Sequence, residues 1–100
     1  MAQRRDRDKE DTTVRSVEGS VRGPDDEALE GAVVKLKDTK SLQIRSFITK
    51  PDGTYHFHGL NPNIDYELRA DYKGASSDSK TLSVFDSRRK AIINLKINKK

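Results

Sequence analysis

The chain has no cysteine and no tryptophan, and these absences narrow what it can be. Without cysteine there is neither a disulfide framework nor a thiolate metal site, so burial of apolar side chains must hold the fold together. Without tryptophan the chain lacks the flat side chain that most often stacks on a sugar ring. Apolar residues occur only in short stretches, which excludes a membrane-spanning segment and the apolar region of a signal peptide. We therefore expect a soluble chain with no membrane insertion.

The charged residues argue against a nucleic-acid partner, although the net charge is +4. Basic and acidic side chains are interleaved, as in residues 35–38 and 67–71. Such interleaving is typical of the solvated faces of strands. A phosphate-binding track needs clustered basic side chains with aromatic residues between them, on which bases can stack.

Residues 1–13 are highly charged, and they show no apolar periodicity. A segment of this kind cannot bury enough apolar surface to offset the entropy lost on ordering, so we expect a disordered N-terminal tail. Residues 14–100 are expected to form one domain. Met1 followed by Ala2 and Gln3 is also what remains when a start codon replaces a secretory signal with a small-residue cleavage site. This favours a secreted or periplasmic protein, if a signal peptide was removed.

From residue 14 onward, short alternating apolar stretches are separated by turn residues, which is the pattern of an all-β sandwich. No stretch carries the apolar stripe of a helix. Residues 74–79 are polar and are expected to form a loop. The sequence predicts seven strands, at residues 14–22, 32–38, 42–49, 54–58, 65–72, 81–85 and 91–97.

Alternation along each strand predicts which side chains face the core. The predicted inward set is Val34, Leu36, Ile44, Ile48, Tyr55, Phe57, Leu60, Tyr66, Leu68, Ala70, Tyr72, Leu82, Val84, Ala91, Ile93, Leu95 and Ile97. The same parity turns Phe47 and Phe85 outward, with Val33 and Ile92. These four residues could form an apolar patch for a protein partner, or they could be isolated exposed residues of the ordinary kind.

The clearest local motif is the turn Pro51-Asp52-Gly53, which is followed directly by a strand with alternating apolar residues. Such a turn between two strands predicts a β-hairpin. Gly53 is expected to adopt a positive φ, a conformation that glycine reaches without steric cost.

Taken together, the motifs of this chain resemble those of the carboxypeptidase regulatory-like domain family. The resemblance covers residues 17–97 and rests on Gly31-Ala32-x-Val34-x-Leu36, Thr49-x-x-Asp52-Gly53-x-Tyr55-x-Phe57-x-x-Leu60 and Tyr66-x-Leu68-x-Ala70. It implies a seven-stranded antiparallel Greek-key β-sandwich of the prealbumin (transthyretin-like) type, among the carbohydrate-binding-like folds. It also implies a non-catalytic module of a secreted or envelope protein.

The sequence lacks the residues that enzymes related to this fold and family would require. Metallocarboxypeptidase chemistry needs a His-x-x-Glu ligand pair and a separate catalytic glutamate, and the chain has no such set. Hydroxyisourate hydrolases share the transthyretin fold and carry a C-terminal Tyr-Arg-Gly-Ser motif, whereas this chain ends Ile97-Asn98-Lys99-Lys100. We therefore predict that the protein is not an enzyme and uses no cofactor.

His56 and His58 are the only histidines. Residues two apart on a strand share a face, so the two imidazoles could chelate one metal ion. No third protein ligand is evident, and two imidazoles alone make a weak site. The alternative is a pair of outward polar residues on either side of a core Phe57, and we predict no metal site.

The sequence thus predicts a non-enzymatic module with a structural or protein-interaction role, whose partner would be another protein of the cell envelope. The alternative is a carbohydrate-binding module. A sugar site would require Phe47 and Phe85 to lie together on one exposed surface. The identity of the partner and the oligomeric state stay open at this stage.

Overall fold

The computed structural model describes residues 14–86 and 88–98, Asn98 by its backbone alone, so the predicted tail lies outside the described residues. Their regular structure is entirely β, and none of them belongs to a helix that could cross a membrane. The strands are β1 (Arg15–Arg22), β2 (Val33–Asp38), β3 (Ile44–Ile48), β4 (Thr54–Leu60), β5 (Tyr66–Tyr72), β6 (Ala75–Ser77), β7 (Lys80–Leu82), β8 (Lys90–Ile92) and β9 (Leu95–Asn98).

The strands form the expected β-sandwich. One layer contains β3, β2 and β5, which are paired in that order, with β6 and β7 both beside β5. The other layer contains β4 and β1, with β8 and β9 beside β1, and pairing of β6 with β9 joins the two layers. The core lies between β1 and β4 on one side and β2 and β5 on the other.

The expectation of seven antiparallel strands is corrected in two respects. Nine strands form among the described residues, and β1 pairs in parallel with both β8 and β9. Both differences arise in part because the predicted final strand, residues 91–97, is split at Ile93 and Asn94. The N–H of Ile93 donates to the carbonyl oxygen of Glu18, and the side-chain oxygen of Asn94 accepts the N–H of Ser20. Gly19 permits this close crossing, because a Cβ at that position would overlap the Ile93 carbonyl.

Two further strand predictions differ from the structure. The polar segment 74–79, predicted as a loop, contains β6, and the hydroxyl of Ser77 accepts the N–H of Ala70 at 2.9 Å. The predicted strand 81–85 ends at Leu82, because a side-chain oxygen of Asp65 accepts the N–H of Val84 at 2.7 Å and holds the following turn.

The buried core matches most of the predicted inward set, and β3 is the main exception. Ile44 and Ile48 were predicted to be buried, but they are 59% and 66% exposed. Phe47, predicted to face outward, packs against the core. The reason is the register with β2, where Phe47 lies opposite the buried Val34, and residues directly opposite each other share a face. Tyr72, Val84 and Ile93, also predicted to be inward, are only partly buried.

The turn at residues 51–53 forms as predicted, but the predicted β-hairpin is wrong, because the two strands that the turn joins do not pair with each other: β3 pairs with β2, and β4 pairs with β1. The turn packs instead against the end of β1 and the β1–β2 connection, and this contact directs β4 into the other layer. Gly53 has φ of 80°, its N–H donates to Lys50, and its carbonyl accepts the N–H of Val21. A Cβ on Gly53 would lie 3.0 Å from the carbonyl oxygen of Val21. Just before the turn, the buried hydroxyl of Thr49 accepts the N–H of Ala32 and donates to the carbonyl of Leu29.

Candidate interaction surface

His56 and His58 stand side by side on β4, as the alternation predicted. Their ring centroids are 4.7 Å apart with an angle of 49° between the planes. The next neighbour is apolar, since the ring centroid of Phe47 lies 4.9 Å from that of His56. Within residues 14–86 and 88–98, no group of three histidine, cysteine or acidic side chains is placed to hold a metal ion. The pair therefore offers two imidazole ligands beside an aromatic ring.

The four residues of the predicted apolar patch lie on four different elements. Val33 is on β2, where it is partly buried between Ile48 and Asp71. Phe85 is 92% exposed on the turn after β7. Ile92 is exposed on β8, beside β1. Phe47 on β3 is the fourth, and its ring lies against the rings of His56 and Phe57.

Two other exposed apolar side chains, Ile44 and Ile48, lie on the outer face of β3. We define the β3 face as Val33, Ile44 and Ile48. Ile48 lies directly opposite Val33 across the two strands, so their side chains form one apolar row. The sequence contained this signal, because Val33 was assigned outward and the β3 residues opposite it must share its face. The prediction of which side of β3 faces the core was wrong because Ile44 and Ile48 were both expected to be core residues.

Charged side chains border the β3 face. Lys35 lies opposite Ser46 and pairs with Asp71 on β5, with 3.0 Å between the ammonium nitrogen and a carboxylate oxygen. Arg69 makes a longer ion pair with the same carboxylate, at 3.7 Å. A hydrogen bond from the Ser76 hydroxyl, followed by the neighbouring Lys35 and Arg69, holds the pKa of Asp71 below its usual value. A hollow of about 240 Å³ lies beside Ile44 on this side.

Strand β3 is also an open edge of its sheet. Among the described residues it pairs with β2 alone. The N–H of Thr49 bonds to Ala32 and the N–H of Asp38 bonds to Gln43, so odd-numbered residues of this segment direct their backbone groups to β2. Hydrogen-bonding directions alternate along an antiparallel strand. The backbone N–H and C=O groups of Ile44, Ser46 and Ile48 therefore point away from the sheet.

Strand β4 lies at the other end of the strand order and is the second edge strand, but it is less accessible. The guanidinium of Arg45 crosses from β3 and donates to the carbonyl of His58 at 3.0 Å. The pairing of β4 with β1 is also irregular, with a shift between Arg15 and Val17. Bulges and charged side chains at an edge hinder the docking of another strand. Arg45 lies at both edges, so the register decides between them: β3 keeps a continuous register with its neighbour, and β4 does not. Strand β3 is therefore the edge better suited to pairing.

A buried arginine holds the turn before β8, and sequence reasoning missed it. Arg15 is only 3% exposed, and its Nε and Nη1 donate to the carbonyls of Arg88 and Ser83. Its Nη2 lies 3.9 Å from a carboxylate oxygen of Asp86. Asp86 also accepts two hydrogen bonds from the side chain of Arg88, which lowers the pKa of the carboxyl group. Alternation along β1 does predict this burial, because Arg15 lies two residues before the buried Val17 and therefore faces the same side.

Solved structures show the same fold in proteins of distant sequence. The major pilin subunit BcpA of Bacillus cereus aligns with a TM-score of 0.69 and 13% identity, over 88% of this chain and 31% of the pilin. The Bacillus anthracis TIE protein aligns with a TM-score of 0.63 and 20% identity, over 85% of this chain and 16% of that protein. This chain thus spans less than a third of either protein.

Enzymes are among the structural neighbours as well. The dioxygenase domain of a dioxygenase and carbohydrate-binding protein fusion from Streptomyces sp. SirexAA-E aligns with a TM-score of 0.61 and 16% identity, over 84% of this chain and 79% of that one. Catechol 1,2-dioxygenase from Acinetobacter sp. ADP1 gives a TM-score of 0.62 at 11% identity, over 86% of this chain and 52% of the enzyme. Likeness at such identities concerns the fold and not the activity.

The sequence itself supplies the assignment of family. No curated protein matches the chain. The family model of the carboxypeptidase regulatory-like domain matches residues 16–96, which include every strand from β2 to β8, most of β1 and half of β9. The chain belongs to the carboxypeptidase regulatory-like domain family.

Proposed function

We propose that this domain is a non-catalytic module of a secreted or periplasmic protein and that it acts by binding protein at β3. The observation that carries the proposal is the combination of two exposed isoleucines on β3, Ile44 and Ile48, with a strand edge that is unpaired among the described residues. Main-chain groups at an edge supply hydrogen bonds to an added strand, and alternate side chains supply specificity.

The polar groups of the described residues support the non-catalytic part of the proposal. The buried side chains of Arg15 and Thr49 bond to backbone groups of turns and strand ends. The hydroxyl of Tyr55 bonds to the carbonyl of Ile93. These side chains hold the sandwich together, and catalysis requires groups that converge on a pocket instead. The dioxygenase neighbours share the fold at low identity, so their activity is not carried over.

Membership of the family supports the proposed location, because its domains are expected in secreted and envelope proteins. Fractionation of the native host tests this point. The full-length protein should be recovered with the envelope or secreted fraction, and recovery with the cytoplasmic fraction would contradict the proposal.

The glycan-binding alternative receives no support from the arrangement of the aromatic rings. A sugar platform needs exposed rings close together, and the ring of Phe47 is turned towards His56 and Phe57. Phe85 is the exposed phenylalanine of the two.

Site-specific photo-crosslinking tests the proposed binding surface. A photoreactive amino acid at Ser46 probes the centre of the open edge, and the same residue at Thr81 on β7 provides a control on another exposed strand. We expect protein adducts from position 46 in native cells and few from position 81. Equal yields from both positions, or no adduct from position 46, would contradict the proposal.

A further inference from the structure

We propose that two copies of this domain pair edge to edge through β3, in an antiparallel dimer whose two-fold axis passes through Ser46. The proposal rests on the proposed function and specifies the partner at that surface. In this register Ser46 faces its own copy, and Ile44 faces Ile48 of the second copy. Dimers of this kind use the same surface patch on both subunits.

The hydrogen-bonding parity of β3 fits this register. The outward backbone groups belong to Ile44, Ser46 and Ile48, and these are the residues that would lie opposite each other. Residues whose outward groups meet in an antiparallel pair exchange both N–H to O bonds. The strand also has a continuous register with β2 and no proline, so nothing in its backbone interrupts pairing.

The side chains are self-complementary in the same register. On the outer face, Val33 and Ile48 of one copy would continue into Ile44 of the other, forming one apolar row across the interface. A second such row follows from the two-fold symmetry. Because Ile44 and Ile48 are each more than half exposed in the single copy, pairing would remove apolar surface from water.

Like charges approach each other in this dimer only at Arg45, the one charged residue of β3. Its two copies would be diagonal neighbours on the inner face, roughly 7–8 Å apart, and each guanidinium is directed to the carbonyl of His58 on β4 of its own copy. On the outer face, the nearest like charges are the two copies of Lys35, which would be separated by both copies of Ser46. Three strand spacings make this roughly 14 Å, beyond the screening length of about 10 Å at 0.1 M salt. Each Lys35 is also paired with its own Asp71.

The dimer should be weak, because the shared surface is a single five-residue strand from each copy. Interfaces below about 1,200 Å² of total buried surface belong to the weak or transient class. We expect monomers at about 10 µM and a substantial dimer population near 1 mM, as measured by sedimentation.

Cysteine crosslinking tests the register, and the chain has no native cysteine to interfere. Paired Cα atoms in a hydrogen-bonded antiparallel pair are about 5.5 Å apart, which a disulfide can span. Ser46→Cys should therefore form a disulfide-linked dimer under mild oxidation at high concentration. Ile44→Cys is the matched control, because its two copies would be separated by roughly 13 Å along the strands. The double variant with Ile44→Cys and Ile48→Cys should crosslink again.

Equal crosslinking of Ser46→Cys and Ile44→Cys, or none from Ser46→Cys, would overturn the dimer. The photo-crosslinking described above separates this failure from that of the proposed function. Adducts to a different protein from position 46, without a Ser46→Cys dimer, would leave β3 as a binding surface and overturn only the second copy as its partner.

Discussion

The phenolic hydroxyl of Tyr55 donates a hydrogen bond to the carbonyl oxygen of Ile93 at 2.5 Å. This bond ties β4 to the short connection between β8 and β9. Ile93 is also held from the other side, because its N–H donates to Glu18 on β1. The two bonds fix the crossing over Gly19, where the C-terminal part of the chain changes from one pairing with β1 to another.

The Tyr55 bond predicts a dependence of stability on alkaline pH. Burial raises the pKa of Tyr55 above its ordinary value of 10.0. The unfolded chain therefore loses this proton first as the pH rises, so the contribution is complete below about pH 10 and decreases above it. Tyr55→Phe should lower the free energy of unfolding by about 1–2 kcal/mol at neutral pH, through the lost hydrogen bond.

Urea unfolding at about pH 7 and pH 11 measures both effects. The difference between the wild type and Tyr55→Phe should shrink at the higher pH, because the tyrosine is then ionised in the unfolded chain. A difference that stays constant or grows would contradict the assigned role of the hydroxyl.

The turn at Gly53 should be intolerant of β-branched side chains. Gly53→Val should lower the free energy of unfolding by about 1–3 kcal/mol, the range for strained backbone positions. The glycine combines a positive φ with close contacts to Val21 and Leu29. Gly31→Val is a matched control, because Gly31 has a similar φ of 85° but no atom within 4 Å of the point where a Cβ would lie.

The thermal unfolding midpoints of the two variants distinguish two costs. Both variants pay for a positive φ, but only Gly53→Val also places its Cβ close to neighbouring atoms. We expect the larger loss at Gly53, and an unchanged midpoint for Gly53→Val would count against the description of this turn.

Thr49 should be needed for its hydroxyl and not for its shape. Thr49→Val removes the acceptor of the Ala32 N–H and the donor to the Leu29 carbonyl. Leaving buried polar groups unsatisfied costs about 1–3 kcal/mol, whereas Thr49→Ser keeps the hydroxyl and should retain most of the stability. Denaturant titration of both variants decides this, and a loss in Thr49→Ser as large as or larger than that in Thr49→Val would contradict the prediction, because it would show that the methyl group matters at least as much as the hydroxyl.

The histidine pair should not bind zinc tightly. Two exposed or partly exposed imidazoles beside Phe47 leave solvent to complete the coordination, so we expect no affinity tighter than roughly micromolar. Isothermal titration with zinc measures this. Stoichiometric nanomolar binding that disappears in His56→Ala would make the pair a functional site and would contradict the prediction that the chain has no metal site.

Local patterns in the sequence predicted much of the fold, and long-range contacts account for what they missed. The Pro51-Asp52-Gly53 turn and the alternation of Tyr66, Leu68 and Ala70 are local signals, and the structure confirms both. The split of the last predicted strand was missed because it depends on Gly19, more than 70 residues away along the chain. No periodicity within residues 91–97 could reveal it.

The candidate surface was only partly predictable for a related reason. Val33 was correctly placed on the outer side, but the partners that surround it were misassigned. Which side of a short edge strand faces the core depends on the strand it pairs with. The alternation of Ile44 and Ile48 predicted the wrong side, and the register with β2 gives the right one. The openness of the β3 edge depends on strand order, which a single sequence does not encode locally.

Amide hydrogen exchange along β3 tests the open edge most directly. In dilute protein, the amides of Ile44, Ser46 and Ile48 should exchange much faster than those of Arg45 and Phe47, which point towards β2. In concentrated protein the three outward amides should become protected as the dimer forms. Protection of all five amides in dilute protein, where the domain is a monomer, would show that another part of the chain covers this edge and would contradict the account.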